Sequence, residues 1–246
     1  HAMTIQADDS HPAFSNRIKK LKQFRSELNR SVELFSIGTE ALQAGNTTDA
    51  IEALRLFVAT FPNSLSGRVN LGAAYLAQVR SRSGTPANLA EVLPILPDPG
   101  VTLRGVVDIV DLQSAEDNFR HALNFHEDNT WAAAGLALVY ARQERYEESR
   151  RLLADILIRE PDNQYVQICL GNIEFLEGRH PSAMAAYSRV LEQRPAWPEA
   201  TKNLALASEE AGELEKARDL WNKLADHKLF GSEARLHLMA MEEPEP

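Results

Sequence analysis

QYVQICLGNIEFLEGRHPSAMAAYSRVLEQRPAW, residues 164–197, decides the fold. It reads as two amphipathic helices joined at Gly178, with Gly171 small in the first, Ala183 small in the second, and Pro195 ending the second. Proline disfavours helix in the residue before it, so it is a natural stop. The same skeleton recurs on both sides. A small residue stands at Gly38, Gly72, Ala137, Gly171 and Ala205, at separations of 34, 65, 34 and 34. A second series, Ala50, Ala115, Ser149, Ala183 and Ala217, has the same separations. The long interval is one 34-residue unit plus 31 residues, so the second unit carries an insertion. Two antiparallel helices approach closely only where their facing side chains are small, which explains one small place on each helix. The fold class read from this pattern is all-α, a solenoid of helix–turn–helix units.

The units begin near Ser31, Leu65, Thr130, Gln164 and Pro198, spanning 31–64, 65–129, 130–163, 164–197 and 198–231. The insertion occupies about 80–110 and holds Pro86, Pro94, Pro97 and Pro99, so no long helix crosses it. It is apolar enough to pack on the solenoid near the groove, as a loop or small hairpin. Ahead of the units, residues 1–11 read as a tag remnant (His1-Ala2-Met3) and a polar lead-in. Residues 12–30 read as a basic amphipathic helix, with Phe14, Ile18, Leu21, Phe24 and Leu28 in one stripe packed on the first unit. A short helix over 232–241 should cap the last unit, and 242–246 should be disordered.

Composition bounds the function. The net charge is −9 and the pI is near 5.3, which argues against a nucleic-acid binder. The charge is uneven: residues 1–30 carry a net +3, leaving −12 for the rest. No apolar run approaches the ~20 residues that span a bilayer. Cys169 is the single cysteine and falls at an apolar-periodic place, so it reads as a buried thiol. No HExxH, CxxC, P-loop or GxSxG occurs; His121 and His126 are five apart, which does not suit a zinc helix. No catalytic residue, metal site or cofactor is expected within these residues.

The period, the two-helix unit and the pattern Leu71-Gly72-x-x-Tyr75, followed by alanine and then proline, resemble the tetratricopeptide repeat. Tyr140 holds the same tyrosine place. Glu174 and Ser208 depart from it, and Glu127 and Leu229 depart from the closing proline. The resemblance implies protein or peptide partners, held on the concave side by the first helix of each repeat. Carried onto this sequence, it points to Phe35 and Leu42 in repeat one and Val69 in repeat two. Trp131, Leu138 and Arg142 follow in repeat three, Tyr165, Asn172 and Phe175 in repeat four, and Lys202 in repeat five. A carboxylate clamp is not expected: Asn172 and Asn203 sit on its two asparagine places, but Ile168 stands where it needs lysine. Weak self-association is a further expectation.

Asp9-Ser10-His11-Pro12-x-Phe14-x-x-Arg17-Ile18 is similar to the segment that closes the catalytic domain of HtpX-like zinc metallopeptidases. That likeness implies the non-catalytic C-terminal region of such a peptidase, in bacterial periplasm or cell-envelope quality control, with zinc confined to a preceding domain. The alternative is a stand-alone adaptor or assembly factor.

Overall fold

The computed structural model describes residues 12–81 and 106–242. They form eleven helices: α1 (Pro12–Gln43), α2 (Thr47–Thr60), α3 (Leu65–Ser81), α4 (Val106–Phe125), α5 (Thr130–Arg142), α6 (Tyr146–Arg159), α7 (Gln164–Leu176), α8 (His180–Gln193), α9 (Pro198–Glu210), α10 (Leu214–Leu224) and α11 (Gly231–Glu242). The end of α1 pairs with α2, and α3–α4, α5–α6, α7–α8 and α9–α10 are the other four pairs, with α11 packed on α10. First helices of neighbouring repeats touch one another: α1–α3, α3–α5, α5–α7 and α7–α9. Second helices meet mainly the first helices on either side of them. The array therefore curves with its first helices inside.

All ten small places of the two series are buried; Ala50, Ala115, Ser149, Ala183 and Ala217 are inaccessible. The contacts explain their size. A methyl group at Gly171 would stand 2.6 Å from the Tyr187 ring, and one at Gly38 would stand 2.6 Å from Leu54. Phe119 is gripped from two sides, since a methyl at either Gly72 or Gly135 would fall inside 3 Å of its ring. In repeat three the small place on the second helix is Ser149, whose hydroxyl donates to the Ala137 carbonyl at 2.5 Å and joins the two series directly.

Local signals set the turns. Asn129 and Asn163 each accept from a backbone N–H three residues on, capping α5 and α7, and the Ser64 hydroxyl accepts from Gly67 N ahead of α3. Between paired helices the chain passes through a left-handed residue: Gly45 (φ 79°), Glu144 (φ 61°), Gly178 (φ 78°) and Gly212 (φ 77°). Glu144 alone carries a side chain there, in a conformation that disfavours one.

Two expectations are corrected. The N-terminal helix does not stop near residue 30. It runs without a break into repeat one, because Asn29-Arg30-Ser31-Val32 holds neither glycine nor proline. The Ser31 hydroxyl, the would-be cap, instead bonds back to the Glu27 carbonyl at 2.8 Å. α1 is thus ~48 Å long against ~21 Å for α2, and its first half projects. The later part of its stripe does not pack on the first repeat: Leu21 is 66% and Phe24 59% exposed, and Leu28 is exposed too. The second correction concerns the insertion. α3 continues to Ser81, and α4 begins at Val106 rather than after 110. Beyond Pro99 and Gly105 nothing obstructs a helix, and Asp108 suits its first turn. The expected packing of the insertion, the lead-in over 1–11 and the tail after Glu242 lie outside the described residues.

Candidate functional site

The candidate site lies on the inner surface between repeats one and four. There two cavities of about 460 and 410 Å³ lie side by side, sharing Leu65, Asn129 and Trp131. The first is the more apolar, walled by Phe35, Val69, Ala73 and Phe119 with Thr39 and Asn70. Phe35 is braced from behind by Phe57, at 4.9 Å between ring centres. The second opens between the starts of α5 and α7 and is lined by His126, Asp128, Thr130, Glu160 and Tyr165.

Trp131 is the common wall. It is the second residue of α5, as Tyr165 is of α7, so the 34-residue period stacks them: their ring centres are 5.0 Å apart, tilted 56°. Trp197, which precedes α9, meets Tyr165 edge-on at 5.0 Å and is itself covered by the Arg194 guanidinium at 4.7 Å. The result is a ladder of three aromatic rings along the helix starts. Trp197 is buried, whereas Trp131 is 46% and Tyr165 37% exposed. Aromatic groups half open on a cavity are the usual anchors of binding energy.

The remaining expected groove residues divide. Phe35, Val69 and Arg142 are partly exposed, the first two on the apolar cavity. Leu42, Leu138, Asn172, Phe175 and Lys202 are buried and do not face a ligand. Leu42 and Leu138 belong to the apolar core of repeats one to three, and Phe175 to that of repeats three to five, against the edge of His180 at 5.2 Å. Asn172 accepts from the Tyr187 hydroxyl at 2.8 Å and from Asn203 Nδ2 at 2.9 Å, so the two asparagines hold repeats four and five together. Lys202 lies under α11, paired with Glu233 at 2.7 Å and facing the Phe230 ring at 5.4 Å. These places fail as groove positions because other parts of the fold claim them: the apolar cores take Leu42, Leu138 and Phe175, Tyr187 and Asn203 hold Asn172, and α11 covers Lys202.

Sequence reasoning missed Trp197, Glu160 and Asp128. The signal was available: Asn129 and Asn163 recur at the repeat period immediately before Thr130 and Gln164, marking where the open first turns begin.

Electrostatics outside the cavities serves repeat stacking. Arg150 of α6 reaches Glu177 and so ties repeats three and four, while Arg179 pairs with Glu174 at 2.6 Å within repeat four. Arg145 lies 3.8 Å over the Tyr140 ring and pairs with Glu148 and Glu116, tying repeats two and three. The hydrogen bond from Arg150 holds the Glu177 carboxyl below its usual range. Burial pushes the Cys169 thiol up to about 12, so it is a packing group and not a nucleophile. No group of three His, Cys, Asp or Glu side chains able to hold a metal ion occurs among the described residues. None of the described helices is long and apolar enough to cross a membrane.

Known proteins give the same architecture. The tetratricopeptide-repeat family matches residues 35–81 and 135–198. Among solved structures, PilF of Pseudomonas aeruginosa superposes with a TM-score of 0.55 at 16% identity, over 88% of this chain and 90% of that one. MamA of Desulfovibrio magneticus RS-1, from residue 41 onward, gives 0.50 at 13% identity, over 87% and 98%. At such identities the likeness is one of fold alone. No curated protein matches the chain. Two-helix units at a 34-residue period, small residues where the helices cross and the family match over residues 35–81 and 135–198 agree: the described residues fold as a helical solenoid of the tetratricopeptide-repeat type.

Proposed function

We propose that this chain is a protein-binding module whose concave face, between repeats one and four, holds a segment of another protein anchored on Trp131 and Tyr165. The observation that carries the reading is the pair of half-exposed rings on adjoining cavities, amid first-helix residues that are otherwise largely packed. An aromatic surface left open beside a cavity gains by covering, and peptide in a helical groove is a common way to cover it. Trp131→Ala with Tyr165→Ala should weaken capture of a partner while leaving helicity intact. Loss of helicity in the double variant would put both residues in the core and end the proposal.

The finer reading is that the module is the non-catalytic C-terminal region of an HtpX-like zinc metallopeptidase, acting in protein quality control in the bacterial periplasm or cell envelope. Its support is the likeness at Asp9-Ser10-His11-Pro12, Phe14 and Arg17-Ile18, of which residues 9–11 lie outside the described ones. Zinc would then belong to a domain outside these residues. A parent reading frame without HExxH upstream would sink the link and leave the stand-alone adaptor or assembly factor, with which the fold is equally compatible.

A further inference from the structure

The cavity between α5 and α7 has a chemistry of its own. Its lining includes two carboxylates, Asp128 and Glu160, with two open aromatic rings, Trp131 and Tyr165; no lysine or arginine is among the lining residues, and His126 is their one imidazole. Glu160 is fixed in place: one carboxylate oxygen accepts from the Thr130 hydroxyl at 2.9 Å, the other from Asn163 Nδ2 at 2.6 Å. Each oxygen keeps a second lone pair for a ligand. These two bonds, Asn163 first, hold the Glu160 carboxyl below its usual range, so it is ionised at neutral pH.

Helix ends do not undo this charge. α5 and α7 begin here and α4 and α6 end here. Each start contributes roughly +0.5 and each end roughly −0.5 of an elementary charge, so the four nearly cancel and the carboxylates remain. The aromatic ladder also shows what chemistry fits it. At its closed end the chain's own Arg194 lays a guanidinium over Trp197. At its open end the faces of Trp131 and Tyr165 have no such cover among the described residues.

We propose that this cavity takes a lysine or arginine side chain of the bound segment, its charge against Glu160 and Asp128 and its stem or guanidinium against Trp131 and Tyr165. The inference rests on the reading of the concave face as a protein-binding groove, and it names the chemistry of the partner: a basic segment. A cation over an aromatic ring beside a carboxylate combines two attractions that water weakens separately. The excess of negative charge on residues 31–246 favours the approach of such a segment.

The test is selection of random twelve-residue peptides displayed against the whole protein. The expected result is enrichment of peptides with a lysine or arginine at one fixed place. Replacing that residue by glutamine should lower affinity about tenfold on the native protein. On Glu160→Gln the same replacement should cost less than about threefold, a coupling that a merely structural role of Glu160 would not produce. Raising salt from 50 to 500 mM should weaken the basic peptide and leave the glutamine peptide unchanged. Enrichment of peptides without a fixed basic residue would overturn this inference and leave the groove reading standing. So would equal losses on native and Glu160→Gln protein. Enrichment of no peptide at all would overturn both.

Discussion

The concave face is made of one set of places repeated five times, yet its two halves use them differently. The fifth residue of the unit is Phe35 in repeat one and Val69 in repeat two, both on an open cavity; in repeats four and five it is Ile168 and Lys202, both buried. The ninth is Thr39 and Ala73 in the first half, lining the same cavity. In repeat four it is Asn172, committed to Tyr187 and Asn203. The N-terminal half leaves space, and the C-terminal half spends the same positions on joining repeats to each other and to the cap. The difference teaches that a place in the repeat does not fix exposure; the neighbour that packs over it does. α11 adds to the contrast. It docks through Lys202–Glu233 and through His237, stacked 4.3 Å from Trp221 and bonded to Glu209 at 3.0 Å, while the opposite end of the solenoid leaves Leu21, Phe24 and Leu28 of α1 exposed.

Four substitutions probe this contrast. The largest effect belongs to the closed half: Tyr187→Ala removes a wholly buried ring and its bond to Asn172, and should cost about 3–5 kcal/mol in urea unfolding. Gly171→Ala places a methyl 2.6 Å from that same ring and should cost about 1–3 kcal/mol by overpacking. A value near zero would mean that the helix pair has slack that the contacts deny. Trp131→Ala belongs to the open half and should change stability by less than ~1 kcal/mol, its effect appearing in partner affinity instead. Glu144→Gly is the smallest: it relieves a left-handed residue that three other repeats fill with glycine, and a gain of about 0.5 kcal/mol is expected in the unfolding midpoint.

Acid should loosen repeat stacking as well. The Glu177 carboxyl sits below its usual range because of Arg150. The stability it contributes is therefore complete above the ordinary carboxylate range and is lost as pH falls through its lowered value. Comparing acid unfolding of the native protein with that of Glu177→Gln isolates the contribution, and identical curves would remove Arg150–Glu177 from the account.

Much of the fold could be read from residues because close helix crossings admit only small side chains, and ten such positions keep two registers in step. The insertion at about 80–110 was visible for the same reason, as a 31-residue surplus. Continuity of α1 through Ser31 was not visible: a serine caps a helix or bonds back within one, and only the surrounding backbone decides which. The candidate site was legible in Trp131 and Tyr165 only as half-open first-turn places that follow the period. It was illegible at Leu42, Leu138, Asn172, Phe175 and Lys202, since their burial depends on contacts between repeats that a single unit does not encode.

The central claim is that Trp131 and Tyr165 belong to a ligand and not to the core. Its most direct test is the affinity of a peptide selected on the native protein, measured on the Trp131→Ala/Tyr165→Ala variant together with that variant's unfolding midpoint. The account predicts at least about a tenfold loss of affinity with the midpoint nearly unchanged. Unchanged affinity in a folded variant, or a fall in stability on the ~3 kcal/mol scale of a core aromatic, would contradict it.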